Sequence, residues 1–146
     1  MNRILRVSLA AAAGLLVLVG TGCDKLRSRD ELNKGVAAYK NAKYAEAIDR
    51  FKSAIALDPT NPNAKLYLAT AYMTQWIPGA DSPENKQLAE QAKKEFSEVL
   101  QKDPNDKIAL ASLASLAYNQ SGSLQGDEKL KMLDEARDWN SKLIQA

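Results

Sequence analysis

One stretch of this chain recurs, and the recurrence constrains the fold more than any other feature. Glu46-Ala47-Ile48 leads through Phe51, Ala54 and Ile55 to Asp58-Pro59. Gln91-Ala92-Lys93 leads through Phe96, Val99 and Leu100 to Asp103-Pro104, and Glu135-Ala136-Arg137 opens a third copy with Leu143 and Ile144 in register. In each copy a small alanine is followed by bulky apolar residues at about one and two helical turns, so each draws the same apolar stripe. One such helix cannot bury its stripe alone, whereas stacked copies can. The pattern predicts an all-α array of helices, a solenoid, and such arrays mostly hold other proteins rather than perform chemistry.

Length and charge narrow the function further. At 146 residues there is room for one small domain. The formal charge of +2 is misleading, because residues 1–22 contain Arg3 and Arg6 and no acid; beyond them 18 basic side chains face 18 acidic ones. No basic field is left to attract nucleic acid or anionic lipid by charge. The mixed Lys and Glu instead suit the solvated faces of helices. With no histidine and one cysteine, the chain has no conventional base for catalysis at neutral pH and cannot form an internal disulfide.

Two arginines within Met1–Arg6 precede a run from Val7 to Val19 that is apolar apart from Ser8, and Gly20-Thr21-Gly22 then leads to Cys23. A basic start, a short apolar core and small residues make the pattern of a secretory signal. The run is shorter than the roughly 20 residues a membrane-spanning helix needs. A lone cysteine directly after small residues resembles the bacterial lipoprotein signal, although Gly20 stands where leucine is usual. The resemblance implies that residues 1–22 are removed and that Cys23, carrying diacylglyceryl and N-acyl (palmitate-type) chains, becomes the new amino terminus. Several acyl chains anchor durably where one binds only marginally. The alternatives are an ordinary signal peptide followed by a chance cysteine, and an uncleaved anchor. Residues 23–29 read as a short charged tether, holding the domain within about 25 Å of a bilayer. The expected location is the bacterial cell envelope, facing the periplasm in a Gram-negative cell. Asp24 resembles an inner-membrane retention signal of some enteric bacteria, but the choice of membrane stays open.

The repeat itself can be read closely. Gly35 sits at a tight helix crossing, Tyr44 precedes the second helix, Ala47, Phe51 and Ala54 form its packing stripe, and Pro59 closes the unit. Ala64, Leu68, Ala69 and Tyr72 open a second unit, and Ala109, Leu113, Ala114 and Ala117 a third. This plan resembles the tetratricopeptide repeat (TPR), with units at about 30–59, 62–104 and 107–146. Two departures stand out. Ala47 to Ala92 is 45 residues and Ala92 to Ala136 is 44, against the 34 typical of this repeat. Both excesses follow the first helix of a unit, after Tyr72 and after Tyr118. Ser82 before Pro83 is a good helix start, so the second helix is predicted over about Pro83 to Lys102, and Gly122 and Gly126 before Asp127-Glu128 repeat the plan. Two hairpins lengthened on one edge would form a ledge beside the solenoid. The third copy also stops at Ala146 before the expected Asp-Pro, and Asn140 replaces the aromatic of Phe51 and Phe96, with Trp139 adjacent to fill the gap. No polar capping helix follows, so either a partner or second copy covers the last face, or the chain is a piece of a longer array.

In the tetratricopeptide family the first helices of the hairpins line a concave surface that receives a peptide or helix. Carried onto this chain, that surface comprises Leu32, Val36, Tyr39 and Lys40, then Asn63, Leu66, Thr70, Met73 and Thr74, then Ile108, Ala111, Ser115, Tyr118 and Asn119. Its neutral, apolar-to-hydroxyl character suits an extended segment or amphipathic helix. Relatives that clamp a terminal carboxylate have asparagine where this chain has Val36, which argues against that mode. The bland reading of every one of these residues is packing between hairpins. Trp76 has two readings: a staple pinning the insert onto the helices, and an interaction hot spot. Gly122-Ser-Leu-Gln-Gly126 lacks the lysine of a phosphate loop, and Asp58–Asn63 and Asp103–Asp106 lack the glycine and terminal glutamate of a calcium loop. No metal or other cofactor is expected. The expected function is a membrane-tethered, non-enzymatic adaptor for an envelope protein. Its rivals are a self-associating structural repeat and an envelope enzyme or small-molecule binder.

Overall fold

The computed structural model describes residues 22–146, so the expected leader lies, apart from Gly22, outside the described residues. The described chain is all-helical. Helix α1 covers residues 22–40, and it is followed by α2 (Tyr44–Leu57), α3 (Pro62–Gln75), α4 (Pro83–Lys102), α5 (Lys107–Ser121) and α6 (Gly126–Gln145). Three hairpins, α1/α2, α3/α4 and α5/α6, stack in sequence order, and packing runs chiefly between helices adjacent in the chain. The second helix of unit two occupies the predicted bounds. Together the helices form a tetratricopeptide-like α-solenoid.

The local reasons for these boundaries are visible in the caps. Pro59 and Pro104 disfavour helical geometry in the residue before them, and Asp58 (φ −142°, ψ 89°) and Asp103 (φ −130°, ψ 92°) leave α2 and α4 accordingly. The next helices start on side-chain caps: Asn61 accepts from the Asn63 N–H, and Asp106 from the Ala109 N–H, satisfying donors a helix start leaves free. Ser82 caps α4 in the same way at the Asn85 N–H, with Pro83 in the first turn. At the end of α1 the chain turns through Ala42 at φ 57°. There Lys43 N–H reaches back to Ala38 O at 3.0 Å, a Schellman closure made with alanine where glycine is usual.

The repeated stripes meet in one core. Ala47, Phe51, Ala92 and Phe96 have no solvent exposure, and each buried ring contributes roughly 1.5–3 kcal/mol relative to exposure. Phe51 lies directly on Gly35, where an added Cβ would stand 2.5 Å from its ring; only glycine lets α1 and α2 approach so closely. Asn140 is exposed, while the neighbouring Trp139 packs against the core and donates from Nε1 to Glu135 at 3.3 Å. The tryptophan takes the place left by the missing third aromatic. Polar ties cross the seams as well: Arg50 to Glu31 (3.0 Å), Lys65 to Glu98, Lys93 to Glu135 (2.7 Å) and Lys102 Nζ to Pro59 O (2.8 Å).

Residues 23–29 differ from the expected tether. They are helical and continuous with α1, and the Ser28 hydroxyl, fully buried, donates to Ala54 O at 2.7 Å. That bond fixes the segment against the end of α2. Cys23 is exposed about one and a half turns before it.

Candidate functional site

The residues assigned to the concave surface fall into helical stripes on α1, α3 and α5, at intervals of three and four that keep them on one face of each helix. On α1 and α3 the stripes are partly consumed by packing. Leu32, Val36, Tyr39, Leu66 and Met73 are half-buried against the core, and Thr70 and Thr74 return their hydroxyls to Leu66 O and Thr70 O. Lys40 and Asn63 are exposed. One contact joins two stripes directly: the Tyr39 and Thr74 hydroxyls share a 2.8 Å hydrogen bond. Tyr39 also meets Tyr44 edge-on, with ring centroids 5.4 Å apart.

The stripe on α5 is different. Ile108 and Tyr118 are 57% and 64% exposed, and Ala111 and Ser115 between them are exposed too. Asn119 is half-buried and donates to Ser115 O at 2.9 Å. This row presents an isoleucine and a tyrosine to solvent about 15 Å apart along one helix. Tyr67, absent from the expected set, stacks on Phe51 at 5.6 Å between ring centroids while remaining 41% exposed. It fills a gap between hairpins rather than extending the groove.

The ledge is real, and most of it is helix. α4 and α6 have 20 residues each against 14 in α2, which makes each about 9 Å longer. The connection before α4, residues 76–82, is a built wall. Trp76 is only 8% exposed and belongs to the core, as the staple reading expects. Asn85, at 7% exposure, accepts from Ile77 N–H (2.7 Å) and donates to Ile77 O (2.8 Å) and Ala80 O (2.9 Å). A side-chain amide offers both donor and acceptor, so one residue satisfies three backbone groups of the loop.

Between this wall and the α5–α6 connection lies a cleft of about 600 Å³. Trp76, Ala89, Leu124 and Met132 supply apolar lining, and Asp81, Lys86, Glu90, Lys93, Gln120 and Ser123 supply polar lining. Lys86 pairs with Asp81 at 2.5 Å and holds its carboxyl below the usual carboxylate range. For Glu135, burial pushes the carboxyl up, but hydrogen bonds from Lys93 and Trp139 outweigh it and the net direction is down. Elsewhere, on the α3–α4 seam, burial pushes the Glu95 carboxyl up against the opposing charge of Lys65, 3.8 Å away, and Glu95 Oε2 accepts no hydrogen bond. The cleft was not legible from sequence, and its one local signal is an asparagine in the first turn of a helix that follows a Pro-Gly turn.

Among the described residues no group of three or more His, Cys, Asp or Glu side chains could hold a metal ion. None of the described helices is long and apolar enough to cross a membrane. No curated protein matches the chain in sequence. A family model for the tetratricopeptide repeat matches residues 38–75, the span from the end of α1 through α2 and α3, and repeats of this kind generally mediate protein–protein interaction.

Proposed function

We propose that this chain is a membrane-tethered adaptor of the bacterial cell envelope, holding an extended segment or amphipathic helix of a partner protein across α1, α3 and α5. The observation that carries the reading is the α5 row. Ile108 and Tyr118 are exposed on a helix whose leucines are all buried, and exposed apolar groups aligned on one face favour a partner. The half-buried Leu66 and Met73 continue the surface onto α3. The exposed Cys23 supports lipid attachment, since its thiol is sterically open. With residues 23–29 helical, the attachment would be a short stiff arm rather than a leash, and the lipid would raise the local concentration of the adaptor at the membrane.

The test is a crosslinking pull-down from envelope fractions with three full-length proteins: wild type, Cys23→Ser and Ile108→Ser/Tyr118→Ala. A small set of envelope proteins captured by wild type and lost with the double variant supports groove binding. Lipid-specific mass on Cys23 in wild type supports the anchor, and its absence would remove the membrane half of the reading. A self-associating repeat is favoured by one observation, Ile144 at 86% exposure on α6. It predicts recovery of the protein alone and a molar mass in light scattering that rises with concentration.

A further inference from the structure

We infer that the helical start of α1 holds the solenoid edge-on to the bilayer, with the edge where α2 and α4 end and α3 and α5 begin facing the lipid. The long connections and their cleft then point away from the membrane. The inference rests on the anchor proposed above and adds its orientation. The apolar run Val7–Val19 and Cys23 both lead directly into the first turn of α1. An acylated cysteine or a retained apolar run would therefore place the membrane at the same end of that helix.

The direction follows from how α1 is fixed. Residues 23–29 are helical, and the buried Ser28 hydroxyl donates to Ala54 O at 2.7 Å, in the last turn of α2. A helix joined to the core in this way does not swivel as a flexible linker would. It leaves the membrane alongside the end of α2 and the 58–61 turn. Antiparallel hairpins bring the 103–106 turn to the same edge, and Lys102 Nζ, 2.8 Å from Pro59 O, ties the end of α4 to the first turn. The connections at 41–43, 76–82 and 122–125 lie at the other edge, about 27 Å away along α1. Charge opposes the alternative, in which α1 lies flat on the bilayer. Leu26 is 67% exposed and one turn from Cys23 on the same face, where it can enter the lipid interface. One turn further on, that face carries Asp30, paired with the exposed Lys34 at 2.6 Å, and the exposed Asn33. Desolvating these groups costs more than one leucine returns.

The test uses the full-length protein, expressed with its lipid and added to preformed vesicles, with acyl chains on Cys23 checked by mass spectrometry. Acylation blocks the chain's one native thiol, so a donor dye attaches only to an introduced cysteine. Thr60→Cys and Asn105→Cys mark one edge, Asn41→Cys and Ser123→Cys the other, and all four positions are exposed. Energy transfer to an acceptor on lipid headgroups is read. Transfer from positions 60 and 105 should exceed that from 41 and 123 roughly twofold or more, given ~27 Å of helix between the edges. A Gly-Ser insertion between Cys23 and Asp24 should erase the difference. Acyl chains on Cys23 with equal transfer from 41 and 60 would overturn this inference alone, leaving α1 flat on the lipid or the arm free. A difference that survives the insertion would overturn α1 as the element that sets the orientation. Absence of acyl chains from Cys23 would instead fail the lipid anchor itself, and this inference with it.

Discussion

The two edges of this solenoid are built on opposite principles. On one edge the chain passes from a second helix to the next first helix by the same turn each time. Asp58 accepts from Thr60 N–H at 3.0 Å and Asp103 from Asn105 N–H at 3.1 Å, and Asn61 and Asp106 then cap the helices that follow. On the other edge, no two connections are alike. The first is a tight Schellman turn through Ala42, the second a wall clamped by Asn85, and the third, residues 122–125, leads into α6 without a side-chain cap. The uniform edge sets the register in which hairpins stack. The varied edge is free of that duty, and it is where the chain has placed its cleft.

The sharpest way to break this contrast is Trp76→Ala. It should cost about 3–5 kcal/mol, as large-to-small aromatic changes in a core do, with unfolding followed by circular dichroism in urea. A loss under about 1 kcal/mol would mean the wall is not joined to the core. Asn85→Ala comes next, at about 2–3 kcal/mol, since it strands buried backbone groups of the loop. Hydrogen exchange should show faster exchange of Ile77 while amides in α2 stay protected. On the uniform edge, Asn61→Ala and Asp106→Ala should each cost about 1 kcal/mol. Because the two caps share no hydrogen-bond partner, the double variant should show a nearly additive loss. Unequal or strongly coupled losses would show that the two turns are alike only in appearance. The smallest effect has the opposite sign: Ala42→Gly should stabilise by about 0.5–1 kcal/mol by removing the cost of a left-handed alanine, seen as a higher midpoint of unfolding.

How far the sequence foretold these edges follows from what each is made of. The Asp-Pro turns and the alanine–aromatic stripes are local and periodic, so the start and end of α4 were readable from Ser82-Pro83 and Asp103-Pro104. The lengthening of units two and three was readable as a change of period, and the start of α4 was set by its capping serine. The helical state of residues 23–29 was not. Asp24 to Asp30 is charged and reads as a solvated linker, and one serine hydroxyl reaching Ala54 O leaves no trace in hydropathy. The concave set was legible as positions on helices, but its division into half-buried and exposed rows was not. That division depends on neighbours: the α1 and α3 rows meet, Tyr39 bonding Thr74, whereas the α5 row keeps Ile108 and Tyr118 open. The cleft draws on Trp76 and Met132, distant in sequence, and no window along the chain contains both.

The packing of each helix chiefly on its chain neighbours has a mechanical consequence. Contacts that close only short loops form early and at small entropic cost, so each hairpin can serve as a starting point for assembly. Under load the same arrangement gives way in steps, one hairpin after another from an end, rather than in a single rupture. The Lys93–Glu135 bridge, which joins α4 directly to α6, adds one tie to the seam at which the last two hairpins would part.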